Sequence, residues 1–272
     1  AVMGNCGFGI APALPQSRDL VIKNLSVVEG MDLDALRTGI KWDFESFSDY
    51  MAMLRRRAPY ANVAVLAGHS TIRTAVMGEA ASQRKDATPE EITKMKAMVG
   101  DAMANGAIGL GASYSLNHSG FGGVPMPSTI APMSELDELV GAMGPRGKGV
   151  IAIASGVKTP QELEPMAAKW GRPFFQGTGV AMYNEQAPDR AIKIFDDCAA
   201  ALRRGNGLYI QIPCQPLSFD FTMANAYPFY SHQAFDPIKA YAPEQLKEVF
   251  RDASWRAAFR ENARNPRPGM IF

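Results

Sequence analysis

The chain of 272 residues has 28 basic and 27 acidic side chains, a formal net charge of +1, and 47% hydrophobic against 20% charged residues. That is the make-up of a globular chain with ample material for a core, and its near-neutral balance excludes a field built for nucleic acid or an anionic membrane. No stretch approaches the roughly 20 uninterrupted apolar residues of a membrane span, and no basic segment leading into an apolar run marks a signal peptide. Three cysteines, Cys6, Cys198 and Cys214, are too few and too odd in number for a disulfide framework, so a cytoplasmic, reducing location is expected.

In chain order, Val2-Met3-Gly4 reads as a strand that runs into the turn Asn5-Cys6-Gly7-Phe8-Gly9. Helical spacing follows over 18–29 and again over 44–57, where Phe47, Tyr50, Met51 and Leu54 share a face and Arg55-Arg56-Arg57 make a solvated end. The run 62–67 is a buried strand leading to Gly68-His69-Ser70. Thr88-Pro89-Glu90-Glu91 caps a helix that stops near Asn105-Gly106, and 107–110 is the next strand. After a long loop over 113–132, Ser134-Glu135-Leu136-Asp137 is expected to cap a helix ending near Gly144-Pro145. Strand 149–154, a helix opened by Thr159-Pro160-Gln161-Glu162, strand 173–175, helix 188–204 and strand 208–212 complete the pattern. Beyond Cys214 the periodicity loosens into an aromatic stretch over 219–235 and one last helix over 243–260.

Apolar strands alternating with helices are the pattern of a parallel sheet with covering helices. Roughly six such units make an α/β fold that is most of a (β/α) barrel without being all of one. Both ends read as interior sequence, so 1–272 is expected to be a single incomplete barrel domain.

Working residues of such barrels lie where strands pass into loops. Cys6 fits as a metal ligand on a rigid turn, or as a small buried hydrophobe. His69, at the end of a strand, fits a substrate contact, an acid or base, a ligand, or a backbone-bonded structural histidine. Arg73 suits a carboxylate or a structural salt bridge. The loop over 113–132 has the length of a lid and carries Tyr114 and His118, while His232 reads as an ordinary surface residue. There is no His-x-His, His-Glu-x-x-His, Cys-x-x-Cys, Walker loop or Gly-x-Ser-x-Gly, and the glycines of 4–9 do not satisfy the dinucleotide fingerprint. A phosphate-handling barrel would need a glycine-rich backbone site near Gly177 and Gly179, and no lysine suited to Schiff-base chemistry ends a strand.

Gly4-Asn5-Cys6-Gly7-Phe8-Gly9-Ile10-Ala11-Pro12, Gly68-His69-Ser70-Thr71-Ile72-Arg73 and Val76-Met77-Gly78 together resemble the D-aminoacylase-like branch of the amidohydrolases. Thr88 to Glu91, Gly106 to Leu110 and Val124 to Ser128 support the likeness, which is clearest from Gly4 to about Gly156. The resemblance implies a partial TIM-type barrel of the amidohydrolase kind, lacking first and last strands. It further implies zinc-dependent hydrolysis of a non-peptide amide, with an N-acyl-D-amino acid or related small amide as substrate. It makes Cys6 a zinc ligand, with His69 and Arg73 as substrate-facing or structural supports and Tyr114 and His118 as loop contacts. The family's His-x-His pair would lie upstream of Ala1 and its aspartate beyond Phe272, so this chain alone is expected to be inactive. The strand ends over 151–156 and 174–177 lack the histidines that the family places there. That leaves a one-metal enzyme, another ligand set, or a non-catalytic barrel binding an acylated ligand without metal.

Overall fold

The computed structural model describes residues 1–156, 158–177, 187–212, 214, 221–230 and 232–265. Strand β1 (Val2–Met3) is followed by helices α1 (Arg18–Val28), α2 (Leu33–Gly39) and α3 (Phe47–Arg57). Then come β2 (Ala64–Gly68), α4 (His69–Met77), α5 (Pro89–Ala104), β3 (Gly109–Ser113), α6 (Pro127–Ile130) and α7 (Met133–Gly141). The series continues with β4 (Val150–Ala154), α8 (Pro160–Trp170), β5 (Phe174–Gln176), α9 (Arg190–Arg203), β6 (Leu208–Ile210), α10 (Pro243–Arg251) and α11 (Ala253–Arg264). The six strands pair in parallel in the order β1-β2-β3-β4-β5-β6 and curl into an open half-barrel.

The two faces of this sheet differ in chemistry. Leu110, Ala112 and Tyr114 of β3 and its end, Ile151 and Ile153 of β4, Phe174 and Leu208 all point to the helix layer. There they pack on Met95, Val99, Leu136, Leu139 and Leu163. Each such side chain is worth about 1.5–3 kcal/mol when fully buried. The alternate residues therefore line the concave face, and the register stacks them in rows: Gly111, Ala152, Phe175 and Tyr209 in one, Ser113 and Ala154 above it.

Glycine on that face has a physical reason. A Cβ at Gly111 would lie 2.0 Å from the carbonyl oxygen of Gly4, and one at Gly68 would lie 2.7 Å from that of Gly7. The segment 4–9 thus lies directly on the ends of β2 and β3. Gly4 and Gly7 turn it with φ of +93° and +74°, a region open mainly to glycine.

Helix starts at Thr88 and Thr159 carry the expected capping boxes, each worth about 1 kcal/mol. The expected cap at Ser134 is corrected: α7 begins two residues earlier, with Pro132 at the N-cap and no side-chain cap bond. The last helix is two helices, broken at Asp252, whose carboxylate accepts from the N–H groups of Ser254 and Trp255. Residues 226–230 and 232–259 fold back on α1. They form a second apolar cluster of Val27, Tyr230, Phe235, Ile238 and Leu246, with Trp255 and Phe259 against it. His232, expected at the surface, is buried at 1% exposure, its ring edge-on to Phe259. No helix among the described residues is long and apolar enough to cross a membrane.

Candidate functional site

The strand ends gather three polar groupings. The first is the turn carrying Cys6. It is tied down by a bond from Gly7 N–H to the Gly4 carbonyl (3.0 Å), and by Thr71, whose hydroxyl accepts from Gly9 N–H and donates to the Gly9 carbonyl, both at 3.0 Å. The Cys6 thiol is half-buried, and burial, helped by the charge of Glu29, pushes it up to about 11. At neutral pH it is a thiol, whereas metal binding and nucleophilic chemistry both need the thiolate.

The second grouping starts where β2 ends. His69 is not the last residue of a strand but the first of α4, a helix in which eight of nine residues are buried. His69 Nε2 donates to Glu135 Oε1 at 2.7 Å, and Arg73 Nη1 donates to both Glu135 oxygens at 2.9 Å. The other arm of Arg73 reaches the carbonyls of Arg84 (2.5 Å) and Lys85 (2.8 Å). His69 and Arg73 are 0% exposed and Glu135 is 2% exposed. The carboxylate of Glu135 sets an opposite charge against the buried Arg73 guanidinium and offsets part of the desolvation of that pair. Tyr114 faces this same layer and feels the charges of Glu135 and Arg73, and its phenol is pushed up chiefly by burial. The ammonium of Lys158 sits 5.5 Å from its ring centre.

The third grouping is on the concave side. Ser113 Oγ lies 2.7 Å from His118 Nδ1, and the ring of His118 stands edge-on to Phe8 at 5.0 Å and 74°. Burial pulls the imidazole down to about 4, so it is neutral at neutral pH. The loop over 113–132 is stitched to the sheet by serines. Ser70 Oγ donates to Ser128 Oγ (2.7 Å), Ser128 Oγ donates to the Ser113 carbonyl (3.0 Å), and Ser113 N–H donates to Ser128 Oγ (3.1 Å).

The structure therefore joins His69 and Arg73 through Glu135, with Tyr114 beside them. It holds His118 apart from these, against Phe8 of the Cys6 turn. Sequence reasoning missed Glu135, Ser113 and Ser128. The one available signal was an acid on the apolar face of α7 beside Leu136 and Leu139. At the strand ends that lack histidines, Gln176 turns away from the concave face and donates to Cys198 Sγ at 3.0 Å, and Ser155 is buried. Among the described residues no three His, Cys, Asp or Glu side chains are grouped to hold a metal. Gly179 lies outside the described residues. Separately, a cavity of about 790 Å³ opens between Val27, Phe121, Phe221, Tyr230, Lys239 and Tyr241.

No family model matches the chain. D-aminoacylase of Alcaligenes xylosoxydans xylosoxydans is 38% identical over 115 residues, covering 42% of this chain and 21% of that protein. An uncharacterized protein of Mycobacterium tuberculosis is 24% identical over 274 aligned positions, covering 95% of this chain and 44% of its own length. Among solved structures, an N-acyl-D-glutamate deacylase from Bordetella bronchiseptica, complexed with zinc and a phosphonate inhibitor, aligns with a TM-score of 0.57. It is 23% identical and covers 79% of this chain and 41% of its own. A crystal structure of D-aminoacylase aligns at 0.55 with 25% identity, covering 78% of this chain and 40% of its own. The chain spans less than half the length of each of these relatives. By sequence and fold together, the chain is similar, over part of their length, to D-aminoacylase and the N-acyl-D-amino-acid deacylases of the amidohydrolase superfamily.

Proposed function

We propose that the whole protein is a metal-dependent hydrolase of carbon–nitrogen bonds other than peptide bonds, deacylating N-acyl-D-amino acids or a related small amide. The observation that carries this reading is the placement of Cys6. Its turn is pressed onto Gly68 and Gly111 at the strand ends, where the working residues of a parallel barrel lie. Zinc is the cofactor this reading assigns, in keeping with the zinc-bound deacylase of the same fold. The described residues do not by themselves fit it. Cys6 is one donor without the two further protein ligands that a catalytic zinc needs, and its thiol must lose a proton that burial holds tightly. With Cys6 as the single donor the described residues supply, the 272-residue chain by itself is expected to be inactive.

Within this reading the roles divide by burial. His69 and Arg73 serve as structural supports through Glu135, since neither side chain reaches solvent. Tyr114 belongs to the same support, and His118 is the residue placed to meet substrate. A cytoplasmic location goes with it, all three cysteines being free thiols. The test is hydrolysis of N-acetyl-D-amino acids by the whole protein, before and after zinc removal. Zinc-dependent release of the free amino acid supports the proposal, and turnover unaffected by zinc removal overturns the metal mechanism.

A second reading, a non-catalytic barrel that binds a small acylated ligand without metal, is favoured by one observation. The ends of β4 and β5 offer a buried serine and an outward-turned glutamine where metal ligands would be needed. Ligand binding without turnover or zinc would favour it.

A further inference from the structure

We propose that Ser113 is a positioning residue that fixes His118 in one tautomer, so that His118 offers an N–H at Nε2 to an oxygen of the ligand and does not act as a base. The inference rests on the substrate reading above for the ligand, and on geometry alone for the tautomer.

The protons around Ser113 Oγ decide the tautomer. Ser113 Oγ has two neighbours among the described residues: the N–H of Ser115 at 3.2 Å and Nδ1 of His118 at 2.7 Å. An amide N–H can only donate, so the hydroxyl accepts there. Its own proton then has one acceptor within reach, Nδ1 of His118. In the opposite tautomer, Nδ1–H would donate to Oγ, and the hydroxyl proton of a side chain that is 0% exposed would have no acceptor. An unpaired buried donor is the costlier arrangement. Nδ1 is therefore the acceptor, and the single proton of the neutral ring sits on Nε2.

The surroundings hold the ring in that state. Phe8 presses on it edge-on from the Cys6 turn, and burial disfavours the imidazolium. Ser113 stands on the concave face, in register with Ala154. Both its backbone groups are engaged by Ser128 Oγ, its N–H donating and its carbonyl accepting, so the loop bearing His118 is anchored at its root. His118 is half-buried, and no protein group among the described residues engages Nε2. A neutral ring with a fixed N–H suits an amide carbonyl or a carboxylate oxygen. It cannot take up a proton at Nε2, because one is already there.

The test is nitrogen-15 NMR of the histidine rings. The chain has three histidines, so His118→Gln assigns its ring directly. Between about pH 6 and pH 8, the expected spectrum shows Nδ1 as a bare ring nitrogen and Nε2 as a protonated one. Ser113→Ala is expected to mix the tautomers and Ser113→Thr, which keeps the hydroxyl, to restore them. A simple structural role would not move this readout. The reverse pattern, with the proton on Nδ1, overturns the proposal. Titration with N-acetyl-D-glutamate is then expected to shift His118 Nε2, and Ser113→Ala to weaken that binding about three- to tenfold. If the probe shifts other strand-end residues and leaves Nε2 unmoved, His118 is not the donor and the proposal fails. If the tautomer is as stated and the probe shifts nothing, the substrate reading fails while the role of Ser113 stands.

Discussion

Replacing Glu135 by alanine removes the carboxylate that His69 and Arg73 share. The guanidinium keeps its bonds to the carbonyls of Arg84 and Lys85, but loses both bonds of Nη1 and the opposite charge of its partner. Stripping one partner from a buried ion pair costs about 3–5 kcal/mol, because a charge is left uncompensated. That is a large share of the roughly 5–15 kcal/mol that holds a domain together. For a chain of this size, about 2–4 °C of melting temperature goes with each kcal/mol, so Glu135→Ala should melt roughly 6 to 20 °C lower. The assay is thermal and urea unfolding of the wild type, Glu135→Ala, and the double variant Arg73→Met/Glu135→Leu. Removing both charges together leaves no uncompensated ion, so the double variant should recover most of the loss. A loss below about 1 kcal/mol in Glu135→Ala would refute the buried network, since that is the range of an exposed pair. It would return His69 and Arg73 to the role of substrate contacts.

Three further outcomes follow from the same geometry. Gly111→Ala places a methyl 2.0 Å from the Gly4 carbonyl and should cost about 1–3 kcal/mol in urea unfolding, with altered chemical shifts through residues 4–9. At about pH 8, Cys6 should react with iodoacetamide roughly two orders of magnitude more slowly than an ordinary thiol, because its pKa of about 11 leaves little thiolate. Peptide mapping should find the exposed Cys214 alkylated first. For His118, the folded pKa of about 4 lies below the ordinary 6.5. The unfolded chain therefore binds the proton first as pH falls, and stability drops between those values. His118→Gln should flatten that part of the stability–pH curve, and an unchanged slope would count against a buried neutral ring.

The half-barrel was legible in the sequence because its strands are short apolar runs and its long helices carry capping signals, as at Thr88 and Thr159. Helix α4 was not. Its residues are mostly polar or small, and periodicity finds helices only when an apolar stripe faces the core. Here burial rests on polar pairs: Ser70 with Ser128, Thr71 with Gly9, His69 and Arg73 with Glu135, while His69 Nδ1 and Arg73 Nε have no hydrogen-bond partner among the described residues. These partners lie 58 to 66 residues away in sequence, beyond any local pattern. The same distance hid Glu135, which read as part of a helix cap. By contrast, the Cys6 turn showed itself through its glycines, whose spacing reflects close backbone approach to β2 and β3. The contact between His118 and the Cys6 turn arises only when β1 and β3 are both in place.

The most direct test of the account is the zinc content of the whole protein beside its Cys6→Ser variant, measured together with hydrolysis of N-acyl-D-amino acids. About one zinc per chain is expected, lost together with the activity in the variant, as for a ligand of a catalytic site. Zinc and hydrolysis both unchanged in Cys6→Ser, or both absent from the wild type, would contradict it.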